Sequence, residues 1–129
     1  MKHLIFSALL ILAPTLGHAA TTVELNALEQ QEDACRMTFT ITSEEGLSAL
    51  QTQTVLFDES GAVHLFTLFD FGEIPAGGMR VRQFDIPTLP CDKTKLVLFN
   101  GIEQCESEGG ACENPLNFTS RIDGLEVQQ

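Results

Sequence analysis

The chain has 129 residues, with 7 Lys+Arg against 18 Asp+Glu, a formal charge of −11, no Trp, no Tyr and 9 Phe. So acidic a surface excludes nucleic acid as a partner, because phosphate binding needs cations that this chain largely lacks. The missing Trp and Tyr exclude a recognition surface built on the usual aromatic anchors, so Phe and the branched aliphatics must fill the core of a domain of ordinary size.

The opening, "MKHLIFSALLILAPTLGHAATT", sets one Lys before an apolar run from Leu4 to Ala13, then Pro14 and a small-residue exit at Gly17-His18-Ala19. It reads as a secretory signal, too short for a bilayer-spanning helix of about 20 apolar residues. Cleavage is expected after Ala19, leaving residues 20–129 as one domain with no membrane insertion. Loss of residues 1–19 deletes Lys2 and no acidic residue, so 6 Lys+Arg face 18 Asp+Glu and the formal charge becomes −12. An acidic surface of this kind serves solubility, and its field also favours a basic partner.

Along the mature chain the period is two. In "TTVELNALEQQEDA" the apolar positions Val23, Leu25 and Leu28 suit an edge strand followed by a loop. "CRMTFTITSEEG" alternates Met37, Phe39 and Ile41 with Thr38, Thr40 and Thr42, the pattern of a half-buried strand. "LQTQTVLFDESGAVHLFTLFDFG" is a hairpin, because Asp58 can bond its own backbone and Gly61 can take positive φ. Setting Phe57 opposite Ala62 pairs Leu56 with Val63, Thr54 with Leu65 and Thr52 with Thr67. One face then carries Leu50, Leu56, Val63, Leu65, Phe69, Phe71 and three threonines, and the other carries Val55, Phe57, His64, Phe66 and Leu68. Both faces are apolar, which predicts central strands covered twice, the second time by a loop, a terminal segment or a partner.

"EIPAGG" breaks the pattern, and "MRVRQFDI" gives a further strand, with Asp85 at its end before Ile86-Pro87. After the breaker-rich "PTLPC", "TKLVLFNGIEQC" is another strand, in which Asn100-Gly101 marks a bulge or a turn. "NPLNFTSRIDGLEV" supplies the last one or two. About six or seven short antiparallel strands without a helix predict an immunoglobulin-like β-sandwich, with a small β-barrel as the alternative.

Cys35, Cys91, Cys105 and Cys112 all lie in the exported part, and an even count there reads as two disulfides with three possible pairings. Gly109-Gly110 lets the chain reverse between Cys105 and Cys112, which favours a local bridge and leaves Cys35 to Cys91. The spacings are not the close pairs of a zinc site.

Groups able to carry chemistry are few. His64 is the lone histidine of the mature chain and sits among apolar neighbours mid-strand, so no catalytic residues are assigned and no enzyme or cofactor is expected. Asp58 and Asp70 belong to opposite ends of the hairpin and cannot form a carboxylate dyad. The acidic loop with Glu103, Glu106, Glu108 and Glu113 is the one place where a cation such as calcium could bind, although it lacks the alternating oxygen ligands of a calcium loop. Arg80 and Arg82 alternate on one strand face, and pairing with carboxylates, Asp70 foremost, is expected of them.

With "CRMTFTIT", "VLFDESGAVHLFTLFDFGEIPAGGMRVRQFDI" and "LPCDKTKLVLFNGIEQC" laid out, the chain resembles a family of small secreted proteins of alphaproteobacteria, over roughly Cys35 to Ile122. The resemblance implies a periplasmic location and no activity. The order strand, "FD..G", strand, "G.IPAG", strand is also similar to the FxLYD-type immunoglobulin-like modules of bacterial envelope proteins. Together these readings lead to an expected non-enzymatic protein-interaction module that docks on an envelope protein through Val55, Phe57, Phe66 and Leu68. The alternative is a small-ligand or cation binder using the 103–113 loop.

Overall fold

Alternation of apolar and polar side chains decides the layout, because each strand can bury only one face against another layer. The structure, a computed structural model, describes residues 9–12, 21–112 and 115–129. The expected cleavage point after Ala19, and Glu113, lie outside them. Leu9, Leu10, Ile11 and Leu12 are exposed and add nothing to the core.

The strands are β1 (Thr21–Gln30), β2 (Ala34–Ser43), β3 (Ala49–Asp58), β4 (Val63–Asp70), β5 (Gly78–Pro87), β6 (Thr94–Ser107), β7 (Gly110–Ala111), β8 (Leu116–Ser120) and β9 (Glu126–Gln128), with a short 3-10 turn at Cys91–Lys93. One sheet has the order β5-β2-β1-β8, and the other β4-β3-β6-β7 with β9 also paired to β6. Sheet edges stay open, so the fold is a β-sandwich and not the barrel alternative. The order β1-β2-β5 against β4-β3-β6 follows the immunoglobulin arrangement, in which the second and fifth strands pair in one sheet and the third and sixth in the other. The chain end departs from it: β8 runs parallel to β1 and β9 parallel to β6.

The core is the inner face of both sheets. Val23, Leu25, Met37, Phe39 and Ile41 pack against Leu50, Leu56, Phe69, Phe71, Val97 and Phe99, each nearly or fully buried. Phe39 is the hub, with its ring centroid 5.7 to 6.1 Å from those of Phe69, Phe71, Phe84 and Phe99 in edge-on contacts. Phe69 and Phe84 stack at 4.0 Å where β4 lies over β5. Thr52 and Thr54 are buried in this apolar layer and satisfy each other, oxygen to oxygen at 2.8 Å.

Both expected disulfides form, Cys35–Cys91 with Cα atoms 4.9 Å apart and Cys105–Cys112 at 5.5 Å. The first ties the start of β2 to the turn before β6, and the second closes the loop after β6.

Three expectations change. The first strand is not an edge: β8 covers its far side. Asp85 does not end its strand but lies inside β5, which continues to Pro87. The hairpin pairs Leu56 with Leu65, Thr54 with Thr67 and Thr52 with Phe69, two residues away from the expected register, because a bulge between Leu56 and Phe57 absorbs extra chain. A shift of two keeps Leu65 to Phe69 on their expected faces, while beyond the bulge Val63 moves from the expected inner face to lie opposite Phe57 on the outer one. It also leaves β3 central and β4 at the edge, so only one strand of the hairpin is flanked on both sides. Asn100-Gly101 resolves as a bulge within β6.

Candidate interaction face

The two outer faces of the sandwich differ in kind. On the β5-β2-β1-β8 sheet, directly opposed pairs place Thr22, Glu24, Thr38, Thr40, Thr42, Asn117 and Thr119 outward, with Met79 and Val81 at the β5 margin. That is an ordinary polar, solvated face. The outer face of the other sheet is apolar. Val55 lies opposite Phe66 on β4 and Leu98 on β6, while Phe57 lies opposite Val63 and Leu96, so these six residues and Leu68 form one surface across three strands.

Of the four residues expected to dock, Val55 is 6% exposed, Phe57 half-buried, Phe66 57% exposed and Leu68 50% exposed. The structure brings all four together. Val55 is covered by its own neighbours and so underlies the surface. Leu96 and Leu98 were missed, because their place beside Phe57 and Val55 depends on the β3–β6 register. The alternation of "TKLVLF" was the available signal.

A polar rim bounds the patch. Gln53 donates to Glu103 at 2.8 Å, Gln51 to Asp70 at 3.4 Å, and Glu126 lies opposite Leu96. The rim carboxylates Asp70, Glu103 and Glu126 are all exposed.

The remaining predicted groups stand apart from this surface. Asp70 does not pair with Arg80 or Arg82, which corrects the expected ion pairs: its Oδ1 caps the turn by accepting from Gly72 N–H at 2.9 Å. Arg82 donates to the carbonyls of Phe71, Glu73 and Val81, and Arg80 to that of Met79. Both arginines face the inner side of edge strand β5, opposite Ile41 and Phe39, where backbone carbonyls of the β4–β5 connection come within reach before any carboxylate does. The ion pairs among the described residues are Arg36–Asp85 and Lys93–Glu59. Arg36 grips Asp85 through Nε at 2.8 Å and Nη2 at 3.2 Å, and that hydrogen bonding holds the Asp85 carboxyl below its ordinary range.

His64, Ser60 and Asp58 adjoin at the hairpin end but are not arranged as a nucleophile and base. The Ser60 hydroxyl donates to Asp58, which lowers the Asp58 pKa, and the His64 ring donates to the Pro87 carbonyl at 2.9 Å. No group of three or more His, Cys, Asp or Glu that could hold a metal converges among the described residues, where Glu103, Glu106 and Glu108 lie. An open groove of about 500 Å³ lined by Phe99, Ile102, Leu116, Phe118 and the Cys105–Cys112 bridge offers apolar packing without a convergent titratable set.

Comparison with protein families, curated proteins and solved structures returns no match. No helix among the described residues is long and apolar enough to cross a membrane.

Proposed function

We propose that the protein is a non-enzymatic interaction module of the bacterial periplasm, an accessory subunit that docks on an envelope protein through the outer face of β4, β3 and β6. One observation carries this reading: a polar, threonine-rich outer face on one sheet and a contiguous apolar one on the other. A solvated sheet face has no need of Phe57, Phe66, Leu68, Leu96 and Leu98 side by side, and patches of this kind mark interaction sites. The acidic rim fits a partner with an apolar centre and basic edges.

Export is supported by the leader-like opening and by two disulfides, which persist in oxidising compartments. The resemblance to small secreted alphaproteobacterial proteins favours the periplasm. A non-enzymatic role is supported by the hydrogen bonds that already engage Ser60 and His64.

The test is affinity capture from an envelope extract with wild type, a Phe57→Lys/Leu98→Lys double variant and Thr40→Lys as bait, each checked for an unchanged melting profile. One protein retained by wild type and Thr40→Lys but lost by the double variant, and released by rising salt, is the expected result. Equal capture by all three overturns the reading.

A further inference from the structure

Each sandwich edge is a potential pairing template, and natural sheets block such edges. In the chain's first sheet, β5 carries Arg80 and Arg82 on its inner-facing side and β8 is only 5 residues long; in the second, β9 has 3 residues and β7 has 2. β4 is different. It is 8 residues long, its bulge is confined to the hairpin end, and it carries no lysine, arginine or proline between Val63 and Asp70.

The direction of its free backbone groups follows from the ladder. Phe71 N–H donates to the Leu50 carbonyl at 2.8 Å, which makes that pair hydrogen-bonded. Hydrogen-bonded pairs alternate, so Leu65, Thr67 and Phe69 face β3, and Phe66, Leu68 and Asp70 present their N–H and C=O groups to the open edge. The same residues carry their side chains on the apolar outer face.

We propose that β4 pairs antiparallel with β4 of a second copy of this chain, joining two sheets into one about a two-fold axis at Thr67. This goes beyond the docking reading, since it concerns the strand edge and not the face. The register follows from side-chain chemistry. With Thr67 on the axis, Phe66 meets Leu68 of the second copy, Leu68 meets Phe66 of the second copy, and Asp70 comes opposite His64 of the second copy. Moving the axis to Phe66 sets His64 against Leu68, and moving it to Leu68 sets the Asp70 carboxylate against the Phe66 ring. Only the Thr67 register matches apolar with apolar and keeps each carboxylate from an apolar or acidic partner. The apolar faces of the two copies then become continuous across the axis.

Charge sets the sign of the salt effect. Two copies of formal charge −11 repel, and the contact itself is apolar, so screening strengthens the pairing. A basic partner docked on the acidic-rimmed face responds in the opposite direction, which separates the two readings.

Sedimentation velocity of the purified, oxidised chain over a concentration series tests this. The expected result is a reversible dimer that tightens as salt rises. Leu68→Pro removes an N–H that faces the open edge and takes no ladder bond, so it should weaken the dimer at least about tenfold while the monomer keeps its melting profile. Thr67→Cys should form an interchain disulfide and Phe66→Cys should not, because only position 67 meets itself at the axis. A chain that stays monomeric at every concentration and salt, or a dimer that Leu68→Pro leaves unchanged, overturns the proposal. Cross-linking of Phe66→Cys in place of Thr67→Cys overturns the register. Phe57→Lys/Leu98→Lys, which lies off the edge, should leave the dimer intact even if it abolishes capture of an envelope protein.

Discussion

Asp85 and Arg36 sit directly opposite each other on β5 and β2, and their two-point grip ties an edge strand to its neighbour at the surface. A carboxyl held below its ordinary range binds its proton less readily folded than unfolded. Its contribution is therefore fully present above the ordinary carboxylate value, about pH 4, and is lost as pH falls through the folded value. Urea unfolding of wild type and Asp85→Asn at several pH values should show a small stability gap at neutral pH that closes as the pH is lowered. A gap that stays constant to low pH contradicts the pairing. Glycine placement gives a second residue-scale prediction. A Cβ at Gly46 would lie 2.9 Å from the Ala76 backbone nitrogen at φ +73°, whereas Gly61 at φ +83° has open space around it. Gly46→Ala should cost about 1–3 kcal/mol and Gly61→Ala less, read from denaturant midpoints.

At the scale of the elements, Phe39 on β2 touches four other rings drawn from both sheets, so its removal empties the middle of the sandwich. Phe39→Ala should cost about 3–5 kcal/mol, while Phe118→Ala, which removes a ring that is only half-buried and stacks on Phe99 alone, should cost less. Apart from Val63 beside the bulge, the inner face of each strand was legible because alternation has a period of two and a register slip of two residues preserves it. What alternation cannot carry is the bulge at Leu56/Phe57 or the place of a strand in its sheet. Val23 and Leu25 read the same whether β1 lies at an edge or between β2 and β8, and the parallel partner arrives from 95 residues later. The acidic and basic side chains were the least legible. Asp70 and Arg82 lie close in sequence and face different neighbours, since turn amides and connection carbonyls are hydrogen-bonding groups that side-chain identity does not reveal.

The whole molecule combines a small core, two covalent ties and two unlike outer surfaces. The Cys35–Cys91 bridge closes a loop with a sequence separation of 56 and Cys105–Cys112 one of 7. On the chain-entropy account, removing the first pair by Cys→Ala should cost roughly 4 kcal/mol and removing the second roughly 2.5 kcal/mol. Comparable losses would show that the long bridge constrains the unfolded chain no more than the short one. Four cysteines in a strand-rich sequence with a leader-like opening made both ties legible, and the doubly apolar hairpin marked half of the proposed interaction face. The other half, Leu96 and Leu98, needed the β3–β6 register. The central claim is that this face, and not the threonine-rich one, meets a partner. Site-specific photo-crosslinking in the periplasm tests it directly, with a photoreactive residue placed at Phe57, at Leu98 or at Thr40. Adducts of one envelope protein from Phe57 and Leu98, and none from Thr40, are predicted. Adducts from Thr40 alone, or from none of the three positions, would contradict the account.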